Sequence, residues 1–134
     1  MDGDYVILDT NFLIQLEREI TKRIEGPASN ALESFLSKET LHITDTIAGE
    51  LASGESLSER KRWETFIRPY PILESGRESA WHYGCIVRDL KRTGTLIGAS
   101  DLWIAATALS HGMGVVTRNI KDFQRVPGLI VRSY

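Results

Sequence analysis

Residues Tyr5 to Asp9, YVILD, form a short apolar run closed by a carboxylate. Successive side chains of a strand point to opposite faces, so a run that is apolar throughout describes a strand covered on both sides, as in a parallel sheet. Parallel strands need long crossovers, which helices supply. Leu13, Leu16, Ile20 and Ile24 then recur at helical spacing until Gly26 and Pro27 interrupt the pattern. The chain therefore opens as strand, then helix.

The alternation continues. A helix after Pro27 would place Ala31, Leu32, Phe35 and Leu36 on one face, and Leu41 to Thr44 reads as a strand. The next helix carries Glu50, with Thr44 or Asp45 as its cap and Gly54 at its end. Ser56 with Glu59 fits a capping box for a helix through Trp63 and Phe66, and PYPIL follows as a strand or extended connector. Between Ser75 and Arg92 the residues Ala80, Tyr83, Gly84, Val87 and Leu90 trace one helical face, and Ser100 to His111 is apolar almost all round, as an interior helix would be. GVVT and LIV complete the strands. The expected fold is an α/β domain with a mainly parallel central sheet flanked by helices on both faces, and the 134 residues fit one domain, 1–134. Sites in such sheets form beyond the carboxyl ends of the strands where strand order reverses, and Asp9 and the residues after Thr117 fall there.

Bulk properties narrow the function. One cysteine, Cys85, excludes an internal disulfide, and no segment approaches the apolar length of a membrane span, so a cytoplasmic setting is expected. A net charge of -2 argues against holding nucleic acid by overall positive charge. Any such contact has to be local, from groups such as Arg60, Lys61 and Arg62, or Arg118, Lys121 and Arg125.

Four acids need explaining. Asp101 enters an apolar helix, where a carboxylate must cap, pair or bind metal. Asp9 ends a buried strand and serves equally well in an Asx turn, Glu50 alone resembles many solvated glutamates, and Asp122 follows a strand with Asn119 as a competing oxygen ligand. Gathered at one end of a sheet, they would repel one another unless a cation compensated. Oxygen-only ligands suit Mg2+ or Mn2+, ions that assist attack on phosphorus. A receiver domain would need adjacent acids after its first strand, and an aspartate phosphatase an acid two residues after Asp9, where Asn11 stands.

VILDTNFLI around Asp9, ITDTIAGELASG around Glu50, GTLIGASDLWIAATALSHGMGVVTRNIKDF around Asp101 and the closing RVPGLIV resemble, in order and over essentially the whole chain, the PIN-domain nucleases, and within them the VapC-type toxins of toxin-antitoxin pairs. The resemblance implies a PIN fold, Mg2+- or Mn2+-dependent endoribonuclease activity on RNA, a VapB-like antitoxin partner and a homodimer. It implies that Asp9, Glu50 and Asp101 are catalytic and metal-binding, that the fourth acidic position falls on Asp122 or is replaced by Asn119, and that Asn11 and Thr117 line the site. Arg118 is the expected phosphate contact. The alternatives are a PIN nuclease of RNA processing outside such a pair, and a catalytically silent PIN module that binds protein. Trp63, Trp81 and Tyr83 form an aromatic set suited to a dimer or to the core. Asp45 departs from the family pattern, standing where a smaller or apolar residue is usual; it either caps or adds charge to the site.

Overall fold

The computed structural model describes residues 5–34 and 36–134, and within them a five-stranded sheet has the order β3-β2-β1-β4-β5 with every pairing parallel. The strands are β1 (Tyr5–Leu8), β2 (Thr40–Thr44), β3 (Ile72–Leu73), β4 (Gly114–Val116) and β5 (Val131–Arg132). Helices α1 (Thr10–Lys22), α2 (Pro27–Glu33), α3 (Asp45–Ser53), α4 (Arg60–Ile67), α5 (Arg77–Arg92), α6 (Ala99–His111) and α7 (Ile120–Phe123) connect and flank them. Val6, Ile7 and Leu8 are all buried, as a central strand covered on both faces requires. After β1 the chain builds outward through β2 to β3, then returns to pair β4 on the other side of β1, so strand order reverses between β1 and β4. The crevice expected at such a reversal opens beside Asp9 and Thr117.

The first helix differs from expectation at its second half. Phe12, Leu13 and Leu16 are buried, but Ile20 is 60% exposed, and Ile24 is exposed beyond the helix end. The inward position on that turn belongs to Glu19, which is 1% exposed. Its carboxylate accepts hydrogen bonds from the Ala28 N–H (3.1 Å), the Ser29 N–H (2.9 Å) and hydroxyl (2.6 Å), and the Gln15 amide (2.8 Å). Glu19 thus supplies, from another helix, the anion that the N-terminus of α2 attracts. Burial alone would raise its pKa; the hydrogen bonds from Ser29, Gln15 and Ala28 outweigh burial and hold it at about 2. Gly26 is required by this contact, because a Cβ there would lie 2.6 Å from the Glu19 carboxyl carbon.

Other boundaries shift for local reasons. On α2 the buried residues are Ala28 and Ala31, Leu36 is buried beyond the helix, and Phe35 lies outside the described residues. Thr44, rather than Asp45, caps α3, accepting from the Ile47 N–H at 3.2 Å. The Ser56–Glu59 capping box does not form: a 3-10 turn at Glu55–Leu57 turns Leu57 into the core, and Glu59 caps α4 by accepting from the Lys61 N–H. The inner face of α5 is Ser79, Ile86 and Leu90, which leaves Ala80 exposed. Helix α6 is buried along Leu102, Ile104, Ala105, Ala106, Thr107 and Ala108, and no helix among the described residues is long and apolar enough to cross a membrane. The expected aromatic set divides: the Trp63 indole donates to the Ala48 carbonyl, Tyr83 stacks on Trp103, and Trp81 alone of the three is exposed, at 63%.

Replacing Gly26 by Ala should destabilise the fold by about 1–3 kcal/mol, the usual cost of overpacking. Glu19→Gln should also lower the melting temperature. Because the Glu19 pKa is depressed in the folded state, its contribution is complete above its unfolded value and is lost as pH falls toward 2. Thermal melts of wild type and Glu19→Gln at pH 7 and at about pH 3 should therefore converge at the acid end, whereas an equal gap at both pH values would contradict this role.

Candidate active site

Asp9 directly follows β1 and is the N-cap of α1, its Oδ1 accepting from the Thr10 N–H at 2.7 Å. Its other oxygen accepts from the Thr117 hydroxyl, also at 2.7 Å, just beyond the end of β4. The Asx contact and the functional reading of Asp9 are therefore compatible, because the cap holds a carboxylate that is only 3% exposed at the reversal point. The Thr117 oxygen accepts in turn from the Asn119 N–H at 2.9 Å, which sets the hydroxyl proton toward Asp9.

Glu50 arrives from α3, and the Thr10 hydroxyl donates to it at 2.5 Å. Thr10, bonded to this candidate acid, is a residue that sequence reasoning passed over. The signal was present in the DTN triplet, since the residue beside a strand-end acid opens the following helix with its side chain near the same crevice. Asp101 lies on the first turn of α6, but Gly98 occupies the N-cap and Asp101 makes no capping bond. Burial first, and then the charges of Asp9, Glu50 and Asp122, push the Asp101 carboxyl up to about 6 against the hydrogen bond from Asn119. Asp9 is likewise raised, chiefly by burial and with Glu50 adding to it, against the bonds from Thr117 and Thr10.

The fourth position resolves into two residues with different contacts. Asp122 lies on the short helix α7 rather than in a loop, and Arg125 stands 3.6 Å from it. The Asn119 amide donates to both Asp101 and Asp122 at 3.2 Å, bridging two acids that repel. Asn119 spends its donor nitrogen on the acids, which leaves its carbonyl oxygen as the ligand-capable atom. Asn11 is exposed on the first turn of α1. Asp45 turns away from this group: its oxygens accept from the Thr46 N–H and from the Ser75 N–H and hydroxyl, so it anchors the segment before α5 and adds no charge to the crevice.

Arg118, also exposed, follows Thr117, and its guanidinium lies 4.8 Å over the ring of Tyr134 while its Nε donates to the Tyr134 main-chain oxygen at 3.3 Å. Tyr134 packs against Phe12 with ring centroids 4.7 Å apart, edge to face. Burial raises the Tyr134 phenol, Arg118 opposes this, and Asp9 and Glu19 add to the rise, which places the ring within electrostatic reach of the acids. No motif pointed to Tyr134.

The donor set suits a hard divalent cation. The acids are oxygen donors, and burial together with the charges of Asp9, Glu50 and Asp122 brings Asp101 to about 6. Among the described residues no group of three or more Asp, Glu, His or Cys side chains is already set to hold a metal ion. Mg2+ does not require one, because it retains several waters and takes one or two carboxylates.

A family profile described as PIN domain matches residues 6–129. Ribonuclease VapC2 of Rickettsia felis is 30% identical over 133 residues, 96% of each chain, and ribonuclease VapC1 of Haemophilus influenzae strain R2866 is 32% identical over 124 residues, 92% of each. In three dimensions the chain is similar to a chain of the VapBC2 structure from Rickettsia felis bound to a DNA fragment from their promoter, with a TM-score of 0.80, 26% identity, and coverage of 97% of this chain and 98% of that one. With the profile spanning nearly the full length and such relatives covering more than nine-tenths of it, the chain belongs to the PIN-domain family, in its VapC branch.

Proposed function

We propose that this protein is a Mg2+- or Mn2+-dependent endoribonuclease that hydrolyses RNA phosphodiester bonds as the toxin of a type II toxin-antitoxin pair. The observation that carries this reading is the linked set of acids at the strand reversal, with Thr10 bonded to Glu50 beside Asp9 and Asn119 joining Asp101 to Asp122, where burial first and then the charges of Asp9, Glu50 and Asp122 raise Asp101 to about 6. Asp9, Glu50 and Asp101 would hold the ion, with Asp122 or the Asn119 oxygen as the fourth ligand. Bound there, a divalent ion supplies Lewis-acid stabilisation of the phosphate and a more acidic water. The chain's own residues prepare the site. Thr117 fixes one Asp9 oxygen, Thr10 orients Glu50, Asn119 holds Asp101 and Asp122 in register, and Arg118 brings a cation to the substrate side. Each of these groups is set before substrate arrives, so little reorganisation accompanies reaction.

A partner role is supported by the surface. The exposed Ile20 lines a groove of about 320 Å³ between α1 and α4 with Leu57, Phe66, Lys61 and Arg62, suited to an amphipathic antitoxin segment. Exposed Trp81, with Arg88 over its ring, is the feature that favours a homodimer. One shared core supports reading 1–134 as a single PIN domain, and its single cysteine and RNA substrate suit the cytoplasm. A silent protein-binding module is disfavoured because all four acids are kept together. A neighbouring reading frame for a small DNA-binding protein separates the toxin from an RNA-processing nuclease.

Purified protein should cut total cellular RNA with Mn2+, and chelator or Asp9→Asn should abolish cutting while unfolding stays cooperative; full activity in Asp9→Asn would refute the assignment. Thr117→Val, which removes only the bond that orients Asp9, should lower cleavage by about 10–100-fold, as loss of an outer partner of a metal ligand does. Asp101→Asn should raise the melting temperature of metal-free protein. The wild-type carboxyl titrates near 6 when folded and near 3.8 when unfolded, so the folded state holds the extra proton between those values. Wild-type stability therefore falls as pH rises from about 4 to about 6, and the advantage of the Asn variant should be largest above that range. Added Mg2+ should raise the wild-type melting temperature and leave that of the variant nearly unmoved.

A further inference from the structure

We propose that Arg118, seated over the Tyr134 ring, is a stacking surface for one unpaired base of the RNA, and so a base-contacting residue as well as a cation. The inference rests on the ribonuclease reading above and names how that same site grips its substrate. Its basis is the placement of the pair. Thr117, whose hydroxyl holds Asp9, donates its backbone N–H to the Arg132 carbonyl at 2.9 Å, so the carboxyl end of β5 lies beside the acids and Tyr134 continues from it. Tyr134 is anchored from below by buried Phe12, three residues after Asp9 in α1. The Arg118 guanidinium then covers the Tyr134 ring, and its Nε is committed to the Tyr134 main-chain oxygen.

A cation serving only phosphate charge needs reach and mobility. Here the guanidinium instead sits 4.8 Å over an aromatic ring and donates one of its own N–H groups to the same residue's main chain, two contacts that restrain it. The outward side of Arg118 is exposed. A restrained, exposed guanidinium plane backed by a ring is the kind of surface on which unstacked bases of single-stranded RNA settle. The acids exclude RNA phosphates unless a cation intervenes, whereas a base carries no charge and can approach beside them. Double-stranded RNA keeps its bases stacked internally and cannot use such a surface. The occupant is therefore an unpaired base.

The test is equilibrium fluorescence with a short single-stranded RNA that carries 2-aminopurine between randomised flanks, recorded with chelator and again with Mg2+, since stacking quenches this base. Wild type should quench it. Arg118→Lys, which keeps the charge and loses the plane, and Tyr134→Leu, which keeps apolar packing on Phe12 and loses the ring, should each bind about tenfold more weakly and with little quenching, a loss in the range of one stacked base. Tyr134→Phe should restore the quenching. Equal quenching by wild type and Arg118→Lys would overturn the proposal, as would absence of quenching in wild type. The Asp9→Asn protein allows the Mg2+ recording without cleavage of the probe and should quench as wild type does; quenching by both proteins without Mn2+-dependent cleavage by wild type would sink the nuclease and leave the stacking surface, whereas cleavage without quenching would do the reverse.

Discussion

Repulsion among carboxylates crowded at the meeting of β1 and β4 is the constraint around which the molecule is arranged. Asp9 is nearly inaccessible, Asp101 is pushed to about 6 by burial and then by its acidic neighbours, and among the described residues neither has an ion pair of the kind Arg125 makes with Asp122. Threonine and asparagine groups orient the acids instead of neutralising them: Thr10 on Glu50, Thr117 on Asp9, and Asn119 between Asp101 and Asp122. A fold that only needed stability would replace such a group with apolar side chains. Keeping it is intelligible when a divalent ion completes the charge balance.

Glu19 supplies the internal comparison. It is as buried as Asp9, yet its carboxyl is held at about 2 because four donors converge on it at the start of α2. The same chemical group therefore appears twice under burial with opposite outcomes. Where donors saturate the oxygens, the acid is structural and cements two helices. Where other acids face it and donors are few, its charge is left uncompensated, the condition in which functional carboxylates are found. Burial by itself does not distinguish these roles, and the hydrogen-bond inventory does.

Much of this was legible in the chain. YVIL runs apolar up to the closing Asp9 and thus declared a central parallel strand, the apolar circumference of α6 declared an interior helix, and the family motifs marked Asp9, Glu50 and Asp101. Glu19 was not legible, because periodicity counts apolar residues and the inward position on the last turns of α1 is charged; Ile20, next to it, took its place in the pattern. The Ser56–Glu59 box failed for a related reason, since a local capping preference yielded to burial of Leu57. Tyr134 was invisible because its meaning comes from Phe12 and Arg118, far away in sequence and brought together by β5 pairing with β4. Side chains that act through long-range partners leave no local pattern to read.

The central claim is that separate acids meet because a divalent cation makes their crowding tolerable. Anomalous diffraction at the manganese edge, from crystals of the protein equilibrated with Mn2+, tests it most directly. The account predicts a strong peak bounded by carboxylate oxygens of Asp9, Glu50 and Asp101. A map with no density among them, or with manganese only at surface sites elsewhere, would contradict it.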